Sequence, residues 1–326
     1  MTLFRGHKFW SIAFSALLLT SLPTMVTSAP RRVAIVTGGS RGIGRGIVEA
    51  LVESGEYHGI LMTYNSNEDA ARQVQTQMKS DYPEMSFEVV GGDLTLTETR
   101  DKIFECFDKN FEDCHLCLMV HNAGQYVGVT SENIKGLPQA QSGSSGGKVF
   151  GDGSLLTEDG KLDTSYVEYY QKLYSEAYMD LCERSLVRMK KAHEEDSDYR
   201  GCLIGISSPG CNHSFRTTAG YDMPGSGKCV MEFANRYYAL RAAPFNINVN
   251  VVIPGVTRSD AWGKIAEQRG QDRESFLEVV KKISPMEHVI EAKELGSVVA
   301  FLASKSGGGR FMTGLSLRVD GGLHLK

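Results

Sequence analysis

Short apolar segments alternate with amphipathic segments along most of the chain, and this alternation constrains the fold more than any other feature of the sequence. Continuous apolar runs of strand length are typical of strands that are buried on both faces of a parallel sheet. The segments between them have the length and periodicity of helices that cover such a sheet. The strand candidates are Val33–Thr37, Ile60–Thr63, Phe87–Val90, Leu116–His121, Cys202–Ser207, Ile247–Ile253 and Leu315–Val319.

The predicted helices fall between these strands in regular order. Seven strands that alternate with helices predict a single doubly wound (Rossmann) α/β domain at residues 30–326, with a seven-stranded parallel sheet and helices on both faces. The helix candidates are Ile43–Ser54, Asp69–Asp81, Thr97–Asn110, Tyr166–His193, Lys228–Ala243 and Lys293–Ala303.

Residues 1–29 differ from the rest of the chain. Basic residues precede an apolar run over residues 9–22, no acidic residue occurs, and small residues follow at 27–29. This order predicts a secretory signal and places the protein in the endoplasmic reticulum or outside the cell. The apolar run is shorter than the roughly 20 residues of a membrane span. Two alternatives stay open, namely an uncleaved signal that anchors the protein to a membrane and onward delivery to a plastid.

A Gly/Ser-rich segment at about residues 125–164 interrupts the alternation. A loop of this length is unusual inside a compact domain. It is interpreted either as a surface excursion or as a lid over the substrate entrance.

Composition excludes some classes of partner. The chain has 35 Lys and Arg against 39 Asp and Glu, a formal net charge of −4, which argues against binding to nucleic acid. The 7 cysteines have neither zinc spacing nor the pattern of a disulfide framework, and no metal site is predicted.

A glycine-rich turn follows the first strand and leads directly into a helix. Gly38, Gly42 and Gly44 allow a tight turn and the close approach of the backbone to a diphosphate. The N-terminus of the following helix offers free N–H groups to the same phosphates. Because the motif lies between a strand and a helix, it predicts a dinucleotide site.

With this turn the chain resembles the short-chain dehydrogenase/reductase family, near the 3-oxoacyl-carrier-protein reductases. Six motifs in the family's order carry the resemblance: Thr37–Gly44, Asp93 in Gly-Gly-Asp-Leu, Asn122-Ala123-Gly124, Ser207-Ser208, Pro254-Gly255, and Thr313-Gly314 with the ending Val319-Asp320-Gly321-Gly322. The resemblance implies that Asp93 contacts the adenine, that Asn122 braces the central strands, and that residues 254–257 hold the nicotinamide carboxamide.

The end of the second strand favours NADP(H) over NAD(H). Enzymes that use NAD place a carboxylate there for the ribose 2′-hydroxyl, whereas this chain has Asn65 and Ser66. Arg41, inside the glycine turn, can pair with a 2′-phosphate. The predicted cofactor-binding residues are Gly38, Ser40, Arg41, Gly42, Ile43, Gly44, Asn65, Ser66, Asp93, Asn122, Ala123, Gly124, Lys228, Pro254, Gly255, Val256 and Thr257.

The resemblance also implies three catalytic residues. Ser208 would orient the substrate oxygen, Tyr221 would donate the proton, and Lys228 would hold the ribose and assist Tyr221. Tyr221 stands 7 residues before Lys228, however, where the family has an interval of four, so three residues within Asp222–Gly227 are inserted. Seven residues of helix separate two side chains by about 10.5 Å. We expect Tyr221 in a distorted loop or a first helical turn unless the insertion bulges out.

A second departure concerns the Asn that the family carries on the preceding helix. Its position falls near Tyr174, and no Asn occurs between Tyr166 and His193. Tyr174 either takes over the binding of a relay water or packs in the core.

These residues predict an NADPH-dependent oxidoreductase that reduces a small-molecule carbonyl compound, such as a ketone, a quinone or a 3-oxoacyl compound. The alternatives are a non-catalytic NADP-binding sensor or scaffold, and a shift of activity towards dehydration or isomerisation. By analogy with the family, the helices Tyr166–His193 and Lys228–Ala243 would pair subunits into a homodimer or homotetramer. Asn212-His213-Ser214 is a glycosylation sequon at the expected mouth of the site.

Overall fold

The computed structural model describes residues 30–124, 159–161, 168–212, 222–259, 266 and 272–325. Three predictions fall wholly or largely outside these residues: the signal at 1–29, the Gly/Ser-rich segment at about 125–164, and the proton donor Tyr221.

All seven predicted strands are present and form one parallel sheet in the order β3-β2-β1-β4-β5-β6-β7. Because every strand runs the same way, the carboxyl ends of all strands meet at one edge of the sheet, and β1 and β4 are neighbours where the winding reverses. The doubly wound prediction is confirmed. The strands are β1 Arg31–Val36, β2 Gly59–Tyr64, β3 Ser86–Gly91, β4 Cys114–His121, β5 Gly201–Ile206, β6 Ile247–Pro254 and β7 Ser316–Val319.

The helices cover both faces of this sheet. A π-helical segment at Gln171–Glu176 leads directly into α4. The α-helices are α1 Gly42–Glu53, α2 Glu68–Asp81, α3 Thr97–Asn110, α4 Ala177–Glu195, α5 Asp222–Ala242, α6 Arg273–Ile283 and α7 Ala292–Ala303. No helix in the part of the chain that is described is both long and apolar enough to cross a bilayer.

Three helical segments differ from the prediction. The helix predicted at Tyr166–His193 contains a π-helical segment before α4. Helix α5 begins at Asp222 rather than at Lys228, so the inserted residues extend the helix and do not bulge out. Pro224 permits this because it lies in the first turn, where its missing N–H group has no partner to lose. Helix α6 was not predicted. Asp272 precedes it as the N-cap, where its side chain accepts from the Ser275 N–H group, and the apolar residues of α6 pack into a small separate core.

Helices α1 and α7 pack against each other through glycines. A Cβ atom at Gly46 would lie 2.3 Å from the Ala292 carbonyl carbon, and one at Gly296 would lie 2.3 Å from the Gly46 oxygen. The two backbones are therefore in direct contact, and no larger residue fits at either position without moving a helix.

Candidate active site

The glycine turn lies at the carboxyl end of β1, where the sheet reverses its winding. Gly38 and Gly42 adopt φ angles of +65° and +52°, a backbone conformation that favours glycine. A Cβ atom at Gly44 would lie 2.1 Å from the Gly38 oxygen, so only glycine fits there. Arg41 precedes α1 in an extended conformation, and its side chain does not cap the helix. The glycine turn and the first N–H groups of α1 together form a cradle of the kind that binds a diphosphate.

A hydrogen-bond network fixes this turn to the end of β4. The Thr37 hydroxyl oxygen accepts from the backbone N–H groups of Asn122 and Ala123 at 3.0 and 2.9 Å. The Asn122 side chain donates to the carbonyl oxygens of Thr37 and Gly38 at 3.0 and 3.3 Å. Asn122 thus joins the two strands between which a dinucleotide would lie.

The polar residues that the sequence predicts for the adenosine part of the cofactor lie at or near the surface. Arg41, Asn65 and Ser66 are exposed, and the Asp93 carboxylate accepts from the Thr95 N–H group at 2.9 Å. The end of β2 presents no acid within Met62–Ser66, so nothing at these positions repels a 2′-phosphate.

Ser208 and Lys228 come together beside this cradle. Ser208 follows β5, Lys228 lies on α5, and the Lys228 ammonium donates to the Ser208 hydroxyl oxygen at 2.8 Å. Lys228 is only 7% exposed. Its nitrogen also lies 4.8 Å from the centre of the Tyr174 ring. A hydroxyl that accepts from an ammonium is a stronger donor to a further oxygen, so this pair suits a substrate that develops negative charge on oxygen.

The loop after β6 closes the site on the other side. Gly255 lies so close to Asp320 that a Cβ atom would be 2.7 Å from the Asp320 Cα. Arg258 forms ion pairs with Glu274 on α6 and with Glu291 at the start of α7, at 2.6 and 2.8 Å. The segment Pro254–Thr257, predicted to hold the nicotinamide, is thereby tied to both helices.

Sequence profiles of two related groups match the chain. A profile described as enoyl-(acyl carrier protein) reductase matches residues 157–324, and one described as short chain dehydrogenase matches residues 32–140. The chain belongs to the short-chain dehydrogenase/reductase family. As a member of this family it is an oxidoreductase.

Curated relatives of this short-chain dehydrogenase/reductase are reductases. The 1-cyclohexenylcarbonyl-CoA reductase of Streptomyces collinus is 26% identical, with 92% of this chain and 89% of the relative covered. The NADPH-dependent reductase BacG of Bacillus subtilis is 23% identical, with 90% and 97% covered. The solved L-sorbose reductase of Gluconobacter frateurii, complexed with NADPH and L-sorbose, has a TM-score of 0.70 at 21% identity, with 90% and 97% covered. The last likeness shows a shared fold.

Two residues that the sequence did not single out shape this family member's site. The first is Glu232, one helical turn after Lys228 and buried. Its carboxylate accepts from the hydroxyls of Ser207 and Ser316 and from the Asn212 side-chain amide, at 2.5, 2.9 and 2.8 Å. Glu232 therefore fixes the loop that carries Ser208. The sequence contained one indication of this role, since Glu232 is an acidic residue on the side of the helix that faces the core.

The second is His121, at the carboxyl end of β4. One ring nitrogen lies 3.0 Å from the Leu173 carbonyl oxygen in the π-helical segment. The pKa of His121 is lowered to about 4, chiefly by burial and to a smaller extent by the positive charges of Lys228 and Arg100, although the hydrogen bond to Leu173 opposes the shift. The ring is thus neutral at pH 7 and holds the π-helical segment against the sheet.

This pKa predicts an acid-sensitive fold. The unfolded chain takes up a proton at a pKa of about 6.5, whereas folded His121 does so at about 4, so stability is present above the first value and is lost as the pH falls towards the second. When the pH falls from about 7.5 to about 5, the lowered pKa of His121 should reduce the free energy of unfolding by about 2 kcal/mol. Urea unfolding at both pH values measures this. The variant His121→Asn should show a pH dependence smaller by that amount, and an unchanged dependence would contradict the assignment.

Proposed function

We propose that this protein is an NADPH-dependent oxidoreductase that reduces the carbonyl group of a small molecule, such as a ketone, a quinone or a 3-oxoacyl compound. The observation that carries the proposal is the contact between Lys228 and Ser208, which puts a polarised hydroxyl beside the dinucleotide cradle. The relatives named reductases support the same class of reaction.

NADP(H) is the proposed cofactor. An exposed Arg41 next to the glycine turn and the absence of an acid within Met62–Ser66 suit a 2′-phosphate. One curated relative is named an NADPH-dependent reductase, and the L-sorbose reductase structure contains NADPH. When bound, this cofactor supplies a hydride.

The chain's own residues would manage the charge and the proton. Ser208 donates a hydrogen bond to the carbonyl oxygen, while the Lys228 ammonium stabilises the negative charge that develops on that oxygen. We assign the proton donor to Tyr221, which directly precedes α5 in the sequence. Because α5 is continuous from Asp222 to Lys228, Tyr221 would act without direct help from Lys228. The loop held by Glu232 keeps Ser208 in place during the reaction.

The decisive measurement is NADPH oxidation by the purified protein with a ketone, a quinone and a 3-oxoacyl thioester, with Tyr221→Phe run in parallel. We expect turnover of at least one compound, and a loss of about 10²- to 10⁴-fold in the variant, since a general acid contributes about this much. Thermal unfolding of both proteins checks that the loss is not one of folding.

Other outcomes would point elsewhere. Turnover that survives in Tyr221→Phe would contradict the assignment of the proton donor. Reduction of an enoyl thioester alone would contradict carbonyl reduction. NADPH binding without turnover of any compound would favour the sensor or scaffold function.

We further propose that subunits pair through α4 and α5. The residues Val230, Phe233, Tyr237 and Leu240 follow one another at helical spacing on α5 and are exposed, with Leu240 80% accessible. Val187 is exposed on α4. A stripe of apolar side chains on a helix surface marks a contact with another protein surface, and a homodimer or homotetramer covers it.

The variant Leu240→Glu should therefore be monomeric. A carboxylate within an apolar interface loses its hydration without gaining a partner. Size-exclusion chromatography with light scattering measures the mass, and Leu96→Glu, at an exposed position before α3, is the matched control. A wild-type monomer, or an oligomer that both variants retain, would contradict the proposed interface.

We also propose that residues 1–29 direct the chain into the secretory pathway. The basic start, the apolar run over residues 9–22 and the small residues at 27–29 support this. A mature N-terminus near residue 30 in protein isolated from its own cells is the expected result.

A further inference from the structure

The Lys228 ammonium is buried, and the Glu232 carboxylate one helical turn away accepts its hydrogen bonds from other side chains. Among the residues that the structure describes, none forms an ion pair with Lys228, and its hydrogen bond to Ser208 involves a neutral hydroxyl. A buried charge is costly unless its surroundings stabilise it. A neighbouring group that favours the ammonium lowers this cost.

The Tyr174 ring is such a group. Its centre lies 4.8 Å from the Lys228 nitrogen, within the range of a cation–π contact. The face of an aromatic ring carries partial negative charge, which attracts an ammonium, and the attraction is strongest where water is excluded. Both conditions hold here, because Tyr174 is 2% exposed and Lys228 is buried.

The surroundings hold the ring in this place. Tyr174 lies in the π-helical segment and stacks on Tyr170, with ring centres 6.0 Å apart and an angle of 9° between the planes. A Cβ atom at Gly124 would lie 3.1 Å from the Tyr174 ring and hydroxyl, and one at Gly227 would lie 3.2 Å from the Tyr174 Cβ. Two glycines thus make room for a large side chain.

The inserted residues of α5 take part in this arrangement. A Cβ atom at Gly227 would lie 2.5 Å from the Tyr170 backbone carbonyl oxygen. The Ser226 hydroxyl accepts a hydrogen bond from the Gln171 side chain at 3.1 Å. The insertion therefore packs α5 against the π-helical segment, directly before Lys228.

We propose that Tyr174 is a positioning residue whose ring face holds the Lys228 ammonium against the Ser208 hydroxyl. The consequence for turnover rests on the proposed reductase function, whereas the placement of Lys228 does not. The ring is the active part, so the tyrosine hydroxyl is dispensable, and this separates the proposal from a role in binding a relay water.

Three variants distinguish these roles. Tyr174→Phe keeps the ring and removes the hydroxyl, and Tyr174→Leu removes the ring. Tyr178→Leu is the matched control, because Tyr178 is equally buried one turn further along the helix and its ring lies against His121 and Tyr238. Thermal unfolding should show similar losses of stability for the two leucine variants.

Nuclear magnetic resonance of protein labelled with ¹³C at the lysine ε-carbon reads the placement directly. Protons above a ring face are shielded, so Lys228 should give an upfield-shifted ε-methylene signal, assigned by its loss in Lys228→Arg. The signal should persist in Tyr174→Phe and in Tyr178→Leu and move to the ordinary lysine position in Tyr174→Leu. An unshifted signal in the wild type, or one unchanged in Tyr174→Leu, would overturn the proposal.

Steady-state kinetics measure the effect of the Tyr174 variants on turnover. We expect kcat to fall about tenfold in Tyr174→Leu, with KM changed far less, and to stay within about threefold of wild type in Tyr174→Phe. A loss in Tyr174→Phe equal to that in Tyr174→Leu would overturn the proposal in favour of the hydroxyl. If the wild type reduces no carbonyl compound, the proposed function fails, and the resonance experiment still decides the placement.

Discussion

Replacement of Lys228 by methionine should lower kcat/KM for carbonyl reduction on the order of 10³-fold while the fold is kept. The variant removes the ammonium that donates to Ser208 at 2.8 Å, and with it the charge that would stabilise the developing oxyanion. Methionine has a similar length and no charge, and it enters a buried position against the Tyr174 ring. Stability should therefore be equal or higher, because a buried charge no longer needs compensation.

Steady-state kinetics together with thermal unfolding test this expectation. Lys228→Arg serves as the control that keeps the charge but changes its shape, and it should recover only part of the activity. Activity of Lys228→Met within tenfold of wild type would show that the contact between Lys228 and Ser208 lies away from the chemistry.

Replacement of Arg100 by methionine should lower the free energy of unfolding by about 3 kcal/mol. The Arg100 side chain is 3% exposed and forms ion pairs with Glu176 and Asp180 at 2.7 and 2.6 Å. It also donates to the Leu94 carbonyl oxygen at 2.7 Å. These bonds attach α3 to the end of the π-helical segment, so the variant loses several charge-assisted bonds at once.

Chemical unfolding measures this loss, with Arg45→Met as the matched control. Arg45 forms a single exposed ion pair with Glu49, and such pairs contribute less than about 1 kcal/mol. Equal losses in the two variants would contradict a special role for Arg100.

Most of the fold was predictable because it depends on local patterns. The apolar strands, the glycine turn and the helix periodicity each report on a few neighbouring residues, and each predicted strand is present. The extension of α5 to Asp222 was missed because two glycines and a proline oppose a helix when they are considered alone. Packing against the π-helical segment, through Ser226 and Gly227, decides this region instead.

The candidate site was predictable only in part. The juxtaposition of Ser208 and Lys228 follows from the family's motif order, and the structure brings them together. The contacts of Glu232 and Tyr174 join residues far apart in the chain, and no local spacing announces them. From the sequence, Tyr174 either binds a relay water or packs in the core. The position of the Lys228 ammonium over its ring indicates a third role.

The glycine contact between α1 and α7 also bears on the order in which the protein is made. Gly46 lies one turn into the helix that begins at the phosphate cradle, and its covering surface consists of backbone atoms of Ala292 and Gly296. During synthesis the cradle emerges early, whereas its backing emerges about 250 residues later. A nascent chain therefore carries α1 without its partner α7 for most of its elongation. The nucleotide cradle, although encoded near the start, therefore lacks the support of α7 until most of the chain has been made.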